Sequence, residues 1–379
     1  MNLVSKDISS DFPNSGKIYL NNASVSLIPS QSIEAMKEFL ISYNSIGPDS
    51  KDSETFVTEK LRNVRKIIAK IISCQPDEVV LTQSTTDGIN IVANGLSFDA
   101  SSNIIIRGMT HEHHSNFYPW IKLKEKISIK NLPIDRNGFF KLDDLESYID
   151  ANTKLVSLSH ALYNTGSILP VEEIGNILQD RVPFFIDSAQ TVGCIGDIDV
   201  SKIKCNFMSF NGSKWLCGPM GTGLFYCNRK SSELLEPMTI GGESAIIYDD
   251  TNLAFKELPD KFQTGFRNYV GIVGLESSII YLLNFGLKNI HEKNQNLSNL
   301  FREELSKIPN VILYGPEDPN DRTSIVSFNI DGFDSQEIVD KLEKQNIILA
   351  VREIMEKRLY EHLLTFLTQN MKCFKLLMQ

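Results

Sequence analysis

No stretch of this 379-residue chain is apolar for long enough to cross a membrane. The polar opening from Met1 to Asp11 also lacks the hydrophobic core of a secretion signal. A cytoplasmic protein without a membrane partner is therefore expected. Paired cysteines are missing too. The six cysteines (Cys74, Cys194, Cys205, Cys217, Cys227 and Cys373) are scattered and form no Cys-x-x-Cys. That spacing speaks against a disulfide framework or a zinc–thiolate site and fits reduced thiols. The chain has no long basic run and a net charge of −9, so no nucleic-acid partner is expected. There is neither a Walker loop nor a Gly-x-Gly-x-x-Gly fingerprint, which leaves a dinucleotide-dependent oxidoreductase without support. Internal repeats and low-complexity tracts are absent.

What the chain does have is bulk: 42% hydrophobic residues over a length that allows about two domains. Short apolar runs alternate with helical patterns. Strands are expected at Ile18–Leu20, Val79–Thr82, Asn103–Ile106, Ile127–Leu132 and Leu155–Leu158, and at the run Val182-Pro183-Phe184-Phe185-Ile186 that ends on Asp187. Between them, Val57, Leu61, Val64, Ile68 and Ile71 form one helical face, and Leu142–Ile149 and Val171–Leu178 read as helices. This βαβ alternation implies a mainly parallel sheet covered on both faces. Gly223–Cys227 follows too closely for a crossover helix and should close the sheet antiparallel. After a junction at Pro259–Asn268, two helices (Gly271–Asn289 and Asn296–Ile308) precede strands near 311–313, 324–329 and 347–351. The expected organisation is an N-terminal arm (1–16), a large α/β domain (17–260) and a smaller α+β domain (261–379).

The segment Asn211-Gly212-Ser213-Lys214-Trp215 carries the chemistry. A lysine in such weakly charged surroundings is partly desolvated, which lowers its pKa and makes it a nucleophile toward a carbonyl. Asp187 ends the preceding strand, and ligands sit beyond the carboxyl ends of parallel strands. An acid and a lysine on one edge suit pyridoxal phosphate (PLP): the lysine forms the Schiff base and the acid keeps the pyridinium nitrogen protonated. Ser84-Thr85-Thr86-Asp87-Gly88 opens a helix, whose free amides favour either ordinary capping or a phosphate. His111 and His113 would share a face on a strand, as in a metal cluster, but two histidines are too few ligands. A flat imidazole stacked on a cofactor ring is the better use, and no metal is expected.

Several segments, in order from Tyr19 to about Arg352, resemble the class V aminotransferase family of fold-type I PLP enzymes. That family includes cysteine desulfurases and isopenicillin-N-epimerase-like proteins. Tyr19-Leu20-Asn21-Asn22-Ala23 resembles its opening motif. Ser84–Asn90 looks like its phosphate-binding turn, and Glu112-His113-His114-Ser115-Asn116 like its ring-stacking segment. Asp187-Ser188-Ala189-Gln190 and Lys214 match the acid, glutamine and lysine of its cofactor site. The resemblance implies that Thr85, Thr86 and Ser213 hold the phosphate and that His113 stacks on the ring. It implies that Asn164 and Gln190 tune the ring oxygen, that Asp187 faces the ring nitrogen, and that Lys214 carries the cofactor and moves protons at Cα. Arg352 is the expected partner of the substrate carboxylate, ahead of Arg358. A homodimer with sites at its interface is implied as well. The reaction is left among amino transfer, β-elimination, desulfuration and epimerisation.

Departures from the family pattern are informative. Ser213 stands where desulfurases commonly carry histidine. Phe266 stands where many members carry a threonine that reaches the partner's phosphate, a task left to Arg267 or Asn268. No cysteine follows Val351-Arg352 in the loop where desulfurases carry theirs. The usual Arg-x-Ser-x-x-(Phe/Tyr)-Asn-Thr segment is missing, and Tyr360-Glu361-His362-Leu363-Leu364-Thr365-Phe366-Leu367-Thr368-Gln369 stands instead. Codons exist for that string which, read in another frame, give Arg-Ala-Ser-Pro-His-Phe-Phe-Asn-Thr. A frameshift near 355–359 is the expectation this raises, with poor packing beyond it. With the frame intact, the segment reads as a divergent helix. A PLP-binding protein with little or no turnover is the alternative that the altered segment motivates.

Overall fold

A computed structural model gives the architecture and describes residues 8–13, 16–179, 181–249, 252–356 and 359–366. The chain begins with β1 (Ile18–Tyr19), then α1 (Ser30–Ile46) and α2 (Lys51–Ile72). The Ser50 hydroxyl caps α2 by accepting from the Ser53 amide at 3.2 Å, which satisfies a donor that a helix start leaves open. Val57, Leu61, Val64 and Ile68 of α2 are buried in the main core, as their four-and-three spacing dictates.

One sheet of seven strands follows: β2 (Val79–Thr82), β3 (Asn103–Ile106), β4 (Ser128–Asn131), β5 (Thr153–Ser159), β6 (Phe184–Asp187), β7 (Phe207–Asn211) and β8 (Gly223–Cys227). Their order is β2-β8-β7-β6-β5-β3-β4. Every pair from β4 across to β7 is parallel, and β8 is antiparallel to both β7 and β2. Alternation along the strands divides the core. Leu81, Ile105, Ile186, Met208 and Leu224 point into one apolar cluster, while Val80, Ile104, Phe185, Phe207 and Phe225 point into the other. A strand presents successive side chains to opposite faces, so unbroken apolar runs are what a sheet covered on both sides requires. The connecting helices are α3 (Thr85–Gly95), α4 (Tyr118–Ile121), α5 (Leu142–Tyr148), α6 (Val171–Leu178) and α7 (Val200–Ile203).

The remainder holds a hairpin, β9 (Ala245–Asp249) with β10 (Asn252–Phe255), that the sequence pattern did not reveal. Helix α8 (Tyr269–Phe285) breaks at Gly286, whose φ of 82° ends it earlier than expected, and α9 (Leu287–Ser306) starts at once. A four-stranded antiparallel sheet combines β11 (Val311–Tyr314) and β12 (Val326–Ile330) with two later strands. Helix α10 (Ser335–Lys344) and β13 (Ile347–Ile348) lead into them: β14 (Ala350–Glu356) and β15 (Leu359–Phe366). The divergent helix expected over 360–369 is therefore corrected through Phe366. β15 inserts between β12 and β14, where both edges of its backbone find partners. Residues 367–379, and with them the rest of the frameshift expectation, lie outside the described residues.

Packing crosses the sequence boundary expected at 260. Ile272, Val273, Leu275 and Ile279 of α8 join the main core. At the other end of the chain, β1 pairs with β13 in parallel, and Leu20 packs with Phe301, Val326 and Ile347. The segment after Leu20 thus runs from the core that packs on the smaller sheet toward the carboxyl edge of the larger one.

Candidate functional site

Strands β5, β6 and β7 end side by side, and their carboxyl ends open into a cavity of about 250 Å³. Thr85, Thr86, His113, Tyr163, Asp187, Gln190 and Lys214 are among its lining residues. Asp187 is buried at the last position of β6, where its Oδ1 accepts from the Ala189 amide at 2.9 Å. Burial pushes its carboxyl up to about 6, against the opposing pull of that amide and of Lys214. Burial also brings the Lys214 ammonium down to about 8, with Asp187 resisting and Arg352 assisting. Desolvation penalises either charged form, so a buried acid and base drift toward neutrality together.

Helix α3 aims its first turn at the same cavity. Ser84 is its N-cap and accepts from the Asp87 amide at 3.2 Å, while the Asp87 carboxylate accepts from the Gln83 amide at 2.8 Å. Thr86 donates to Ser115 at 2.9 Å. The Thr85 hydroxyl is buried and has no hydrogen-bond partner among the described residues. Such an orphan beside free helix-start amides fits an anion. Ser209 of β7 fixes α3 from below, donating to the Thr85 carbonyl at 3.0 Å.

His113 enters from a turn rather than the strand considered from sequence. It caps the short helix His114–Asn116, and its Nδ1 accepts from the Ser115 amide at 3.2 Å. Burial, then the nearby Lys214 charge, lowers its pKa to about 4. The ring is therefore neutral near pH 7 with its proton on Nε2. His111 turns elsewhere: it is buried, with Nδ1 3.3 Å from the Asn164 Oδ1. The two histidines do not share a face. Among the described residues no group of three or more His, Cys, Asp or Glu could hold a metal ion.

Beneath this turn lies an ion pair that the sequence did not signal. Arg107 meets Glu112 at 2.5 Å with both side chains buried. Glu112 also accepts from Asn116 at 2.7 Å and from the Ser159 hydroxyl at 2.8 Å. With these hydrogen bonds and the Arg107 pair, the buried Glu112 side chain anchors the loop that presents His113. Tyr163, Ser24 and Ser115 also line the cavity unannounced, and the Tyr163 ring meets the His113 ring edge-on at 5.0 Å. Arg107 could only have been found as a charge closing an otherwise apolar strand.

Other expected residues stand beside the cavity. Asn164 is buried behind it, against His111. Ser213 accepts from Asn211 Nδ2 at 3.0 Å and is not among the lining residues. Gln190 does line it, held by Trp215 and by the Ala23 carbonyl. Arg352 donates to Ser24 Oγ and to the Val351 carbonyl, and its charge is felt at Lys214 and His113. Arg358 lies outside the described residues. A larger cleft, about 420 Å³, flanks α3 and is lined by Gln83, Asp87, Met238, Phe266, Arg267 and Asn268. It holds neither Lys214 nor Asp187, so the chemistry belongs to the smaller cavity.

The residues present fit pyridoxal phosphate. The orphaned Thr85 hydroxyl and the start of α3 suit its phosphate, Asp187 suits a pyridinium, and Lys214 suits an aldehyde. Comparison with known proteins agrees. Residues 18–353 match the family Aminotransferase class-V. A probable cysteine desulfurase of Methanothermobacter thermautotrophicus is 32% identical over 330 residues, 86% of this chain and 81% of that protein. The apo structure of a cysteine desulfurase from Thermococcus onnurineus superposes with a TM-score of 0.90 at 27% identity, covering 98% of this chain and 96% of that one. A variant of C-DES with glycine covalently linked to its PLP cofactor shares the fold at a TM-score of 0.88 and 22% identity, over 98% of each chain.

Proposed function

We propose, from the premise that this chain belongs to the class-V aminotransferase family and is a pyridoxal-phosphate enzyme, that it acts at Cα and Cβ of a cysteine-like amino acid. The observation that carries the reading is the convergence of Lys214, Asp187 and the start of α3 on one cavity. When bound, the cofactor supplies an electron-poor ring that stabilises negative charge at Cα. Lys214, with a pKa brought down to about 8, has enough neutral amine to bind the cofactor and then to move the Cα proton. Asp187 holds a positive ring nitrogen. The neutral His113 ring would lie against the cofactor ring and offer its Nε2–H as a hydrogen-bond donor. Arg352 and Ser24 receive the substrate carboxylate, Arg352 as a fork.

In this reading the sulfur leaves either as a thiolate by β-elimination or to an external thiolate, which forms an S–S bond with it as the Cβ–S bond breaks and its electron pair stays with the carbon. None of the described cysteines lines the cavity. Cys74, Cys194, Cys205, Cys217 and Cys227 all have thiol pKa values raised by burial, the opposite of a nucleophilic thiolate. Cys373 lies outside the described residues. A homodimer in the cytoplasm completes the proposal, supported by the exposed Met220, Met238, Ile240 and Phe266 beside the larger cleft.

The test is a visible absorption spectrum of the loaded protein before and after adding a panel of amino acids. A band lost in Lys214→Ala and shifted by cysteine or cystine supports the reading. A band that no amino acid moves favours a binding protein without turnover. In that case the coding DNA across residues 355–369 decides whether a frameshift has replaced the carboxylate-gripping segment.

A further inference from the structure

Trp215 follows Lys214 directly and is unused by the chemistry above. Its indole is buried among Ala23, Cys194 and Ile325. Behind it stands Gly193, at φ 88°, where an added Cβ would lie 2.9 Å from the Trp215 carbonyl carbon and oxygen. The seat is therefore closed on the backbone side as well. From it, the indole N–H donates to Gln190 Oε1 at 2.8 Å, and Gln190 Nε2 donates to the Ala23 carbonyl at 3.0 Å.

These two contacts settle which way the amide faces. An indole nitrogen only donates and a backbone carbonyl only accepts. A turned amide would set N–H against N–H and oxygen against oxygen, with Gln190 and Trp215 both buried. The carboxamide oxygen is thereby turned to Trp215, which takes one of its two lone pairs. Nε2 keeps a second hydrogen that the Ala23 carbonyl does not take, on a side chain that lines the cavity with Lys214.

We propose that Trp215 is a positioning residue, which locks the Gln190 amide so that an N–H donor, never the carbonyl, faces the bound group. The proposal rests on the pyridoxal-phosphate reading. There the donor favours the anionic form of a cofactor ring oxygen. A donor stabilises the state in which that oxygen carries no proton, so it lowers the pH at which the bound cofactor changes protonation.

The indole and the cofactor are read separately. The chain has two tryptophans, so a ¹⁵N–¹H spectrum of the full-length, cofactor-free protein holds two indole signals, and Trp215→Phe identifies one. Gln190→Leu should move that signal and leave the Trp120 signal in place. An indole signal indifferent to Gln190→Leu overturns the proposal. In the loaded protein, visible absorbance is followed against pH. Gln190→Leu should raise the midpoint by roughly 0.5–1 pH unit and Trp215→Phe by less. The double variant should match Gln190→Leu alone, because one residue acts through the other. Additive shifts, or an unmoved midpoint in Trp215→Phe, overturn the proposal and leave the ring a packing role. If Trp215→Phe does not fold, the response of the indole signals to Gln190→Leu still decides. A wild type without a Lys214-dependent band overturns the cofactor reading and the second half of the proposal, while the indole spectrum still judges the Trp215–Gln190 contact.

Discussion

At the scale of single residues, the site holds two charges that the fold would rather not bury. Asp187 is the clearer case. Its carboxyl rises from 3.8 to about 6 in the folded chain, chiefly through burial. Between those values the native state binds more protons than the unfolded one, so stability falls as pH rises through that window and stays lower above it. Asp187→Asn removes the cost. In the cofactor-free protein it should gain ~1–2 kcal/mol at pH 7.5, after allowing for the partner Lys214 loses, and almost nothing at pH 4. Chemical denaturation at the two pH values measures this, and equal effects at both would refute it. Lys214 shows the mirror effect. With its pKa brought from 10.5 to about 8, its rate of pyridoxal phosphate capture should climb with pH to about 8 and then level off. A rate still climbing toward the range of free lysine would mean that the amine is not desolvated.

Elements decide whether those residues meet. Helix α3 rests on β7 with no room to spare: a Cβ at Gly88 would lie 2.3 Å from Ser209 Oγ and 2.7 Å from Ser209 Cβ. Gly88→Ala must push the helix off the strand and break the Ser209 bond to the Thr85 carbonyl. Such overpacking costs ~1–3 kcal/mol. Affinity for pyridoxal phosphate should fall more than affinity for pyridoxal, because the moved helix start serves the phosphate. Titration of both ligands into wild type and variant tests it, and an equal loss for both would separate α3 from the phosphate. At this scale the sequence was readable where one rule dominates. β2, β3, β8 and α6 have the expected limits, because apolar runs and helical stripes with clear breaks leave little choice. The β9–β10 hairpin and the early end of α8 were not readable. The first has a weak apolar pattern, and the second turns on the backbone of Gly286 alone. Lys214 and Asp187 could be placed together because strand ends point to one edge, and both line the smaller cavity. Arg107, Glu112 and Tyr163 were missed because their roles depend on contacts far apart in sequence.

Across the whole molecule, the chain ends and the outer surface matter more than local pattern. β1 pairs with β13 and Leu20 packs into the core under the smaller sheet, while Ala23 and Ser24 reach Gln190 and Arg352. A segment read as a simple opening strand thus ties that core to the cavity, a link that no local window could reveal. The surface beside α3 raises the matching question of a second copy. Phe266 is 80% exposed and Met238 66% exposed, and both line the cleft that also includes Gln83, next to the Ser84 cap. Large apolar side chains left in water around a cleft mark an interaction surface. In the proposed homodimer this surface meets its symmetry mate, and the partner seals the approach to the start of α3. Phe266→Asp would then bring a carboxylate into that contact, where desolvation without a partner is costly. Light scattering should find the wild type at twice the 42.7 kDa chain mass and the variant largely at the single-chain mass, with pyridoxal phosphate bound more weakly. A wild type at the single-chain mass, or a variant that stays dimeric and keeps its cofactor, would remove this face from the assembly. A monomeric variant that binds the cofactor as tightly as wild type would keep the dimer but show that each site is complete within one chain.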